Sequence, residues 1–242
     1  MTNMTPGTGS EKKLLKSIQA KIGAAQDGII GPASAVDLAV AVGADCWPLT
    51  IQLYKMPVII AKDIIVSNPG KGCKYFANSL SGSFSHVKKP CSIAVSNGEV
   101  LCGSACHSWL GQPESVLYRL EDGTFGIRRC LSANDLPKNV RWAVGGMGLC
   151  AMYAPKEEGF TGAYADVLRR TNHTALGVKR GMVWLIYAKA MTGAQVNELC
   201  RDKLQLDYAI MLDGGHVAAI YGEEKFAQIN GAQSQYYMIQ AI

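Results

Sequence analysis

The chain has 242 residues, 48% of them hydrophobic and 18% charged, which is enough to bury a sizeable core and excludes wholesale disorder. The formal net charge of +5 is a mild excess with no block of like charges. The sequence has no basic stripe interleaved with aromatic residues, so we expect no nucleic-acid partner. No apolar run reaches the roughly 18–20 residues of a membrane span, so we expect no membrane insertion.

The eight cysteines are scattered, without a Cys-x-x-Cys pair. Cys102-Gly103-Ser104-Ala105-Cys106-His107 comes nearest to a metal-binding knuckle, but no second ligand pair follows it at a usable spacing. We therefore predict unpaired structural thiols, no metal and no cofactor. The first ten residues are polar and contain no apolar signal-peptide core, so we expect synthesis in the cytoplasm without a signal peptide.

The N-terminal region predicts a flexible leader over 1–12 and then two short helices. Leu14, Leu15, Ile18 and Ile22 have helical spacing, and Gly23 is suited to end that helix. The turn sequence Asp27-Gly28-Ile29-Ile30-Gly31-Pro32 follows. A second apolar helix is predicted up to Gly43.

This helix–Asp-Gly-x-x-Gly-Pro–helix arrangement resembles the peptidoglycan-binding modules of cell-wall hydrolases over about residues 12–44. The resemblance implies a module at 13–48 that binds the bacterial wall. The alternative is a plain helical hairpin packed on the main domain.

From residue 49 onward, short apolar runs alternate with Gly, Asn, Asp and Pro, a pattern typical of strands and turns. Asn97-Gly98 and Asp122-Gly123 predict hairpin turns, and Thr192 is suited to cap a helix from about Gly193 to Lys203. We predict an α+β fold, with a small N-terminal helical module followed by a mixed-sheet domain with hairpins and a few packed helices. The catalytic domain is predicted at 49–242.

The strongest local signal for chemistry is the segment Ile210-Met211-Leu212-Asp213-Gly214-Gly215-His216. A carboxylate at the end of an apolar strand is held rigidly, and the two glycines let a ligand or backbone N–H groups approach closely. This suits a catalytic or ligand-holding Asp213. The alternative is an ordinary turn, because Asp-Gly-Gly is common in turns.

Four segments taken together resemble the phosphodiester glycosidase family, of the N-acetylglucosamine-1-phosphodiester alpha-N-acetylglucosaminidase type. They are Tyr75-Phe76-Ala77-Asn78, the glycine-rich strand end 144–149, the Arg-Thr-containing segment 170–178, and Leu212-Asp213-Gly214-Gly215 after a hairpin and a capped helix. The resemblance spans about 55–242. It implies a hydrolase that cleaves a glycosidic or sugar-1-phosphate bond.

The resemblance implies the following site residues. The catalytic candidates are Asp213, His216 and His173, and the substrate-binding candidates are Asn78, Arg170, Thr174, Gly145, Gly146, Gly214 and Gly215. Asp213 suits the role of base or nucleophile, and Arg170 with the two histidines suits that of cationic donors to phosphate. Asp166 and Glu158 are candidates for a second carboxylate.

The sequence departs from the family pattern at two of these positions. His216 stands where the family continues with glycine and serine, and His173 stands where arginine is expected before Thr-Ala. Either change can alter the substrate or the pH dependence, or inactivate the site.

These features together predict a phage or prophage lysis enzyme that acts on a bacterial cell-wall glycopolymer or on peptidoglycan after release from the cytoplasm. Two alternatives stay open at this point. One is an inactive wall-binding or virion structural protein. The other is an intracellular hydrolase of a sugar phosphate or nucleotide.

Overall fold

The structure, a computed structural model, describes residues 9–21, 23–31, 34–35, 37–38, 46–51, 56–67, 76–77, 90–215, 218–221 and 238–242. Within these ranges it has α1 (Gly9–Lys21) and α2 (Gly193–Glu198), the latter continued by one π-helical turn at Leu199–Lys203. Residues 34–35 and 37–38 are also helical. The strands are β1 (Cys46–Ile51), β2 (Met56–Ala61), β3 (Ile64–Ser67), β4 (Phe76–Ala77), β5 (Ala94–Ser96), β6 (Glu99–Cys102), β7 (Glu114–Leu120), β8 (Phe125–Cys130), β9 (Val140–Gly148), β10 (Thr171–Lys179), β11 (Met182–Met191), β12 (Tyr208–Gly214), β13 (Ile220–Tyr221) and β14 (Met238–Ala241).

The predicted α+β fold, a helical module followed by a mixed-sheet domain with a few packed helices, is wrong. The described chain is predominantly antiparallel sheet, and every strand pairing in it is antiparallel, including β10 with β12. The helical spacing at residues 14–18 does produce α1. Its buried face, however, packs on the large sheet, because Leu15 and Ile30 belong to one core cluster with Trp184. The predicted domain boundaries stay a prediction.

Ten strands form the large sheet, in the order β1-β2-β11-β10-β12-β9-β5-β6, with β7 pairing with β9 and β8 with β7. A second sheet has the order β13-β4-β14-β3. Alternate residues of β2 and β11 face opposite sides of the large sheet. One side packs on Leu15 and Val196 of the helices, and the other packs on the second sheet. This two-sided burial explains the continuous apolar runs of the central strands.

The predicted turns are confirmed where the structure describes them. Asn97 and Gly98 both have positive φ (48° and 78°) between β5 and β6, as this tight hairpin turn requires. The Asp27-Gly28 turn is held from within by the buried side chain of Gln19. Its Oε1 accepts from Gly28 N at 2.8 Å, and its Nε2 donates to Asp27 Oδ1 at 2.9 Å.

Asp63, in the turn between β2 and β3, connects this turn to β7 and β9 through a buried ionic network. Its carboxylate accepts from Trp142 Nε1, Arg141 Nε and Arg119, each at 2.7 Å. Burial alone would raise the pKa of Asp63. The hydrogen bonds from Arg119 and Trp142 outweigh burial and hold the pKa below its ordinary value.

Strands β5 and β12 lie end to end along one edge of β9. Gly145 N donates to Ile93 O at 2.8 Å, and Leu149 N donates to Ala209 O at 3.0 Å. In an antiparallel ladder the backbone groups of alternate residues point the same way, so these two bonds leave the same side of β9. The position opposite Gly145 is taken by Ile93. After Met211, which pairs with Met147, β12 must therefore separate from β9.

Candidate active site

A cleft of about 120 Å³ opens where β12 separates from β9. It lies at the end of the strand that carries the Asp-Gly-Gly motif. Its lining residues are Met147, Phe160, Asp166, Val167, Arg169, Thr171, His173, Met211, Leu212, Asp213, Gly214 and Gly215. Methionine, phenylalanine and leucine form an apolar wall. The charged groups are Asp166 and Arg169, from the segment before β10, and Asp213, from the end of β12.

Asp213 is half-buried in this cleft and is fixed through its main chain. Thr174 Oγ1 donates to Asp213 O at 3.0 Å, and Gly214 N donates to the Asp213 carboxylate at 2.8 Å. Position 214 requires glycine, because a Cβ there would lie 2.7 Å from Asn172 O and 3.0 Å from His173 Nδ1. The motif therefore brings the turn after Asp213 into close contact with β10.

His173 is 1% exposed and lines the cleft next to Gly214. Its Nε2 lies 3.3 Å from Arg169 O, and a carbonyl oxygen can only accept, so Nε2 carries the hydrogen. In the neutral ring Nδ1 is then an acceptor. It has no hydrogen-bond partner among the residues that the structure describes.

Burial lowers the pKa of His173 below its ordinary value, and the nearby Arg169 charge acts in the same direction. The ring is therefore neutral at pH 7. This changes the role that the sequence suggested for His173. A neutral, buried imidazole with a vacant acceptor is suited to accept a proton, not to act as a cationic donor to phosphate.

Arg169 supplies the positive charge of the cleft. It is ion-paired with Asp166, which lies three residues earlier on the same rim, and both side chains are more than half exposed. The predicted phosphate ligand Arg170 instead donates to Ala190 O at 2.8 Å and is not among the cleft-lining residues. Residues 169, 171 and 173 line the cleft together, so strand alternation extended back from His173 would have indicated Arg169.

Two buried glutamates lie next to the glycine-rich strand β9. Glu114 accepts from Ile93 N at 2.7 Å and from Cys106 N at 3.1 Å. Glu158 accepts from Ser115 Oγ at 2.6 Å and from Gly148 N at 2.9 Å. Burial raises the pKa of both carboxyl groups, that of Glu114 to about 8. Neither glutamate lines the cleft, whereas the other candidate second carboxylate, Asp166, does.

The structure brings four of the predicted site residues together in the cleft: Asp213, His173, Gly214 and Gly215. Thr174 lies behind them as a support for Asp213. Gly145 and Gly146 are in β9, where they allow close approach of Glu114 and of Met211 O but do not line the cleft. Asn78 and His216 lie outside the described residues, so their predicted roles stay predictions.

The described residues include no group of three or more His, Cys, Asp or Glu side chains placed to hold a metal ion. In the suspected knuckle, His107 Nδ1 lies 2.8 Å from Glu158 O, and the His107 ring packs edge-on against Phe160. No helix in the described ranges has the length and apolar character needed to cross a membrane.

A buried histidine, an arginine and a carboxylate at the end of an antiparallel strand form a site suited to hydrolysis of a phosphate-bearing substrate. Residues 71–236 match the model of the phosphodiester glycosidase family, a match over more than half of the chain. The chain therefore belongs to the phosphodiester glycosidase family, as its motifs predict.

Among solved structures, the chain is similar to the catalytic domain of zebrafish N-acetylglucosamine-1-phosphodiester alpha-N-acetylglucosaminidase auto-inhibited by its pro-peptide. The identity is 16% over 81% of each chain, with a TM-score of 0.60. It is also similar to a hypothetical protein from Synechocystis, at 10% identity over 81% of this chain and 61% of that one, with a TM-score of 0.51. Likenesses at these identities show the fold. No curated protein sequence matches the chain.

Proposed function

We propose that the protein hydrolyses a sugar-1-phosphodiester bond in a bacterial cell-envelope glycopolymer and releases a free sugar and a phosphomonoester. The observation that carries this proposal is the placement of Asp213 in one cleft with a neutral His173 and the cationic Arg169. The family supplies the reaction class.

The reaction needs one water molecule. The water oxygen forms a bond to the anomeric carbon, and the bond from that carbon to the bridging oxygen breaks. The bridging oxygen keeps the electron pair and leaves as part of the phosphomonoester. A phosphate carries this charge well, so protonation of the leaving group matters less than in ordinary glycosides, where two carboxylates are usual.

Asp213 can take part in two ways. As a base it removes a proton from the attacking water, which inverts the anomeric configuration. As a nucleophile it bonds to the anomeric carbon first, and a second displacement by water then retains the configuration. In the nucleophile route Asp213 is bonded to the sugar when water attacks, and Nδ1 of His173 is then the acceptor that can receive the proton of the water. The configuration of the released sugar distinguishes the routes.

Arg169 is the group in the cleft suited to bind the phosphate, because a guanidinium presents paired donors that match two phosphate oxygens. Its present partner, Asp166, is mostly exposed, and an ion pair of this kind contributes only about 0–1 kcal/mol. A phosphate can therefore replace Asp166 at little cost. The released Asp166 carboxylate would stay at the rim.

We further propose that the polymer belongs to a bacterial wall and that the enzyme serves a phage or prophage in lysis, acting at the wall after release from the cytoplasm. The resemblance of residues 12–44 to peptidoglycan-binding modules supports a wall substrate. The similar zebrafish structure is that of an N-acetylglucosamine-1-phosphodiester alpha-N-acetylglucosaminidase, which favours N-acetylglucosamine as the sugar.

The test compares wild type with Asp213→Asn on two substrates, methyl N-acetyl-α-glucosaminyl phosphate and purified Gram-positive walls. Released reducing sugar and phosphomonoester are measured. The variant keeps the size of the side chain but loses its charge, so turnover should fall by about 10²-fold or more without loss of folding. Asp122→Asn, at an exposed turn carboxylate, is the matched control.

Full activity of a folded Asp213→Asn protein would refute the catalytic role. Hydrolysis of the small phosphodiester but not of walls would refute the envelope substrate and favour an intracellular metabolite. Binding to walls without release of sugar would indicate a wall-binding protein.

A further inference from the structure

The position of Asp213 depends on which strand occupies the edge of β9. If the β12–β9 ladder continued beyond Met211 and Met147, Asp213 would come to lie opposite Gly145. That place is held by Ile93, whose carbonyl accepts from Gly145 N. Two strands cannot pair with the same backbone groups. Ile93 therefore blocks this extension of the β12–β9 ladder.

Glu114 is the side chain that holds Ile93 there. One carboxylate oxygen accepts from Ile93 N and the other accepts from Cys106 N. The carboxylate fills the space of the missing Gly145 side chain, because a Cβ at Gly145 would overlap Glu114 Oε1 at 2.2 Å. With 3% exposure, Glu114 has no access to a substrate.

Electrostatic contacts link this segment to Asp213. Burial is the main cause that raises the pKa of the Cys91 and Cys106 thiols, and the Asp213 charge adds to the rise at both cysteines. Cys91 is two residues before Ile93, and Cys106 donates to Glu114. The side chain of Glu114 thus joins these two segments, and its own charge is a further cause that raises the pKa of both thiols.

We propose that Glu114 is a positioning residue for Asp213: it holds Ile93 opposite Gly145 and so keeps the end of β12 away from β9, with the Asp213 carboxylate in the cleft. Removal of Glu114 frees the edge of β9, and Leu212–Gly214 can then extend the ladder and move Asp213 out of the cleft.

The chain offers a matched control for this role. Glu158 is also a fully buried carboxyl group next to β9, and it binds Gly148 N and Ser115 on the opposite edge, where β12 does not compete for partners. Both variants lose one buried carboxyl group and share the general cost of that loss, but only Glu114 contacts the segment of Ile93. The positioning role predicts that only the loss of Glu114 affects Asp213.

The experiment compares Glu114→Ala with Glu158→Ala through two readouts. The first is the rate at which N-ethylmaleimide labels the exposed Cys91, followed by peptide mass spectrometry. The second is kcat for methyl N-acetyl-α-glucosaminyl phosphate, well below the Tm of both variants. We expect Glu114→Ala to speed Cys91 labelling at least about fivefold and to lower kcat at least about tenfold. Glu158→Ala should change both by less than about twofold.

Gly145→Ala is a second way to release Ile93 from Glu114, because the added methyl group must displace the Glu114 carboxylate without deleting it. In the Glu114→Ala/Gly145→Ala double variant, the methyl group fills the space that the carboxylate leaves. Stability should then recover in part relative to Glu114→Ala, while kcat stays low. Recovery of stability and activity together would show that packing, not positioning, is the role of Glu114.

The activity arm rests on the proposed function, whereas the labelling arm does not. If wild type hydrolyses none of the substrates, the proposed function fails, and Cys91 labelling still tests whether Glu114 holds the segment of Ile93 in place. Equal labelling rates in the two glutamate variants would overturn the positioning role whatever the activity.

Discussion

Glu114 also makes the stability of the protein depend on pH in an unusual direction. Its carboxyl group titrates near 4.5 when unfolded, and burial raises its pKa to about 8 in the folded protein. Between these values the folded chain binds one more proton than the unfolded chain, so the free energy of unfolding falls as pH rises. The contribution is fully present below about pH 4.5 and is lost by about pH 8. Glu158 acts in the same direction.

The magnitude follows from the difference between the two pKa values. About 3.5 pH units at about 1.4 kcal/mol each give about 5 kcal/mol as the loss between pH 4.5 and 8. Glu114→Gln cannot ionise, so it removes this slope. Its amide can accept only one of the two backbone N–H groups, and the unpaired one costs about 1–3 kcal/mol. The variant should therefore be less stable than wild type at pH 5 and at least equally stable at pH 8.

The assay is urea unfolding at pH 5, 6, 7 and 8, followed by the fluorescence of the buried Trp142 and Trp184. The quantity of interest is the difference between wild type and Glu114→Gln at each pH, because all other titrating groups cancel in it. Parallel stability curves for the two proteins would show that Glu114 is ionised in the folded state, and the reasoning from burial would be refuted.

Three further predictions concern the histidine in the cleft, the buried ionic network and α1. His173 must be neutral to accept a proton, and burial lowers its pKa below the ordinary value of 6.5. We therefore expect kcat/KM to decline on the acid side only below pH 6.5. His173→Gln should remove this acid-side decline from the pH profile. Asp63→Asn keeps the bond to Trp142 but loses the charge facing two arginines. It should lower the free energy of unfolding by about 2 kcal/mol at pH 7, and the difference should vanish as the pH falls below the lowered pKa of Asp63. Leu15→Ala should cost about 2–5 kcal/mol in urea unfolding, whereas less than about 1 kcal/mol would show that α1 folds apart from the sheet.

Local features were predictable from the sequence because short-range chemistry determines them. Asn97-Gly98 forms its hairpin turn since both residues tolerate positive φ, and Thr192 caps α2 through a reciprocal capping box with Gln195. The fold class was not predictable in this way. The spacing around Leu15 indicates a helix with one apolar face but does not indicate what covers that face, which depends on strands more than a hundred residues away.

In the candidate site, too, the local features were predictable from the sequence and those that depend on distant residues were not. The motif around Asp213 was predictable from the sequence, because the glycine after Asp213 is needed for close contact with β10. The choice between Arg169 and Arg170 depends on the register of β10, and for that reason Arg169 lines the cleft whereas Arg170 donates to Ala190 O. Glu114 gives no signal in the sequence, since its importance arises only when Gly145 leaves space for its carboxylate.

The shared edge of β9 also bears on how such a site can evolve. Many clefts are walled by loops, and a change in loop length then alters the cavity. Here two residues from different segments, Ile93 and Met211, pair with the main chain of the same strand, β9. The opening lies where these two pairings meet. Segments at the rim can be lengthened, shortened or exchanged while these partners keep the gap open. Substrate range can thus diverge among relatives without moving Asp213.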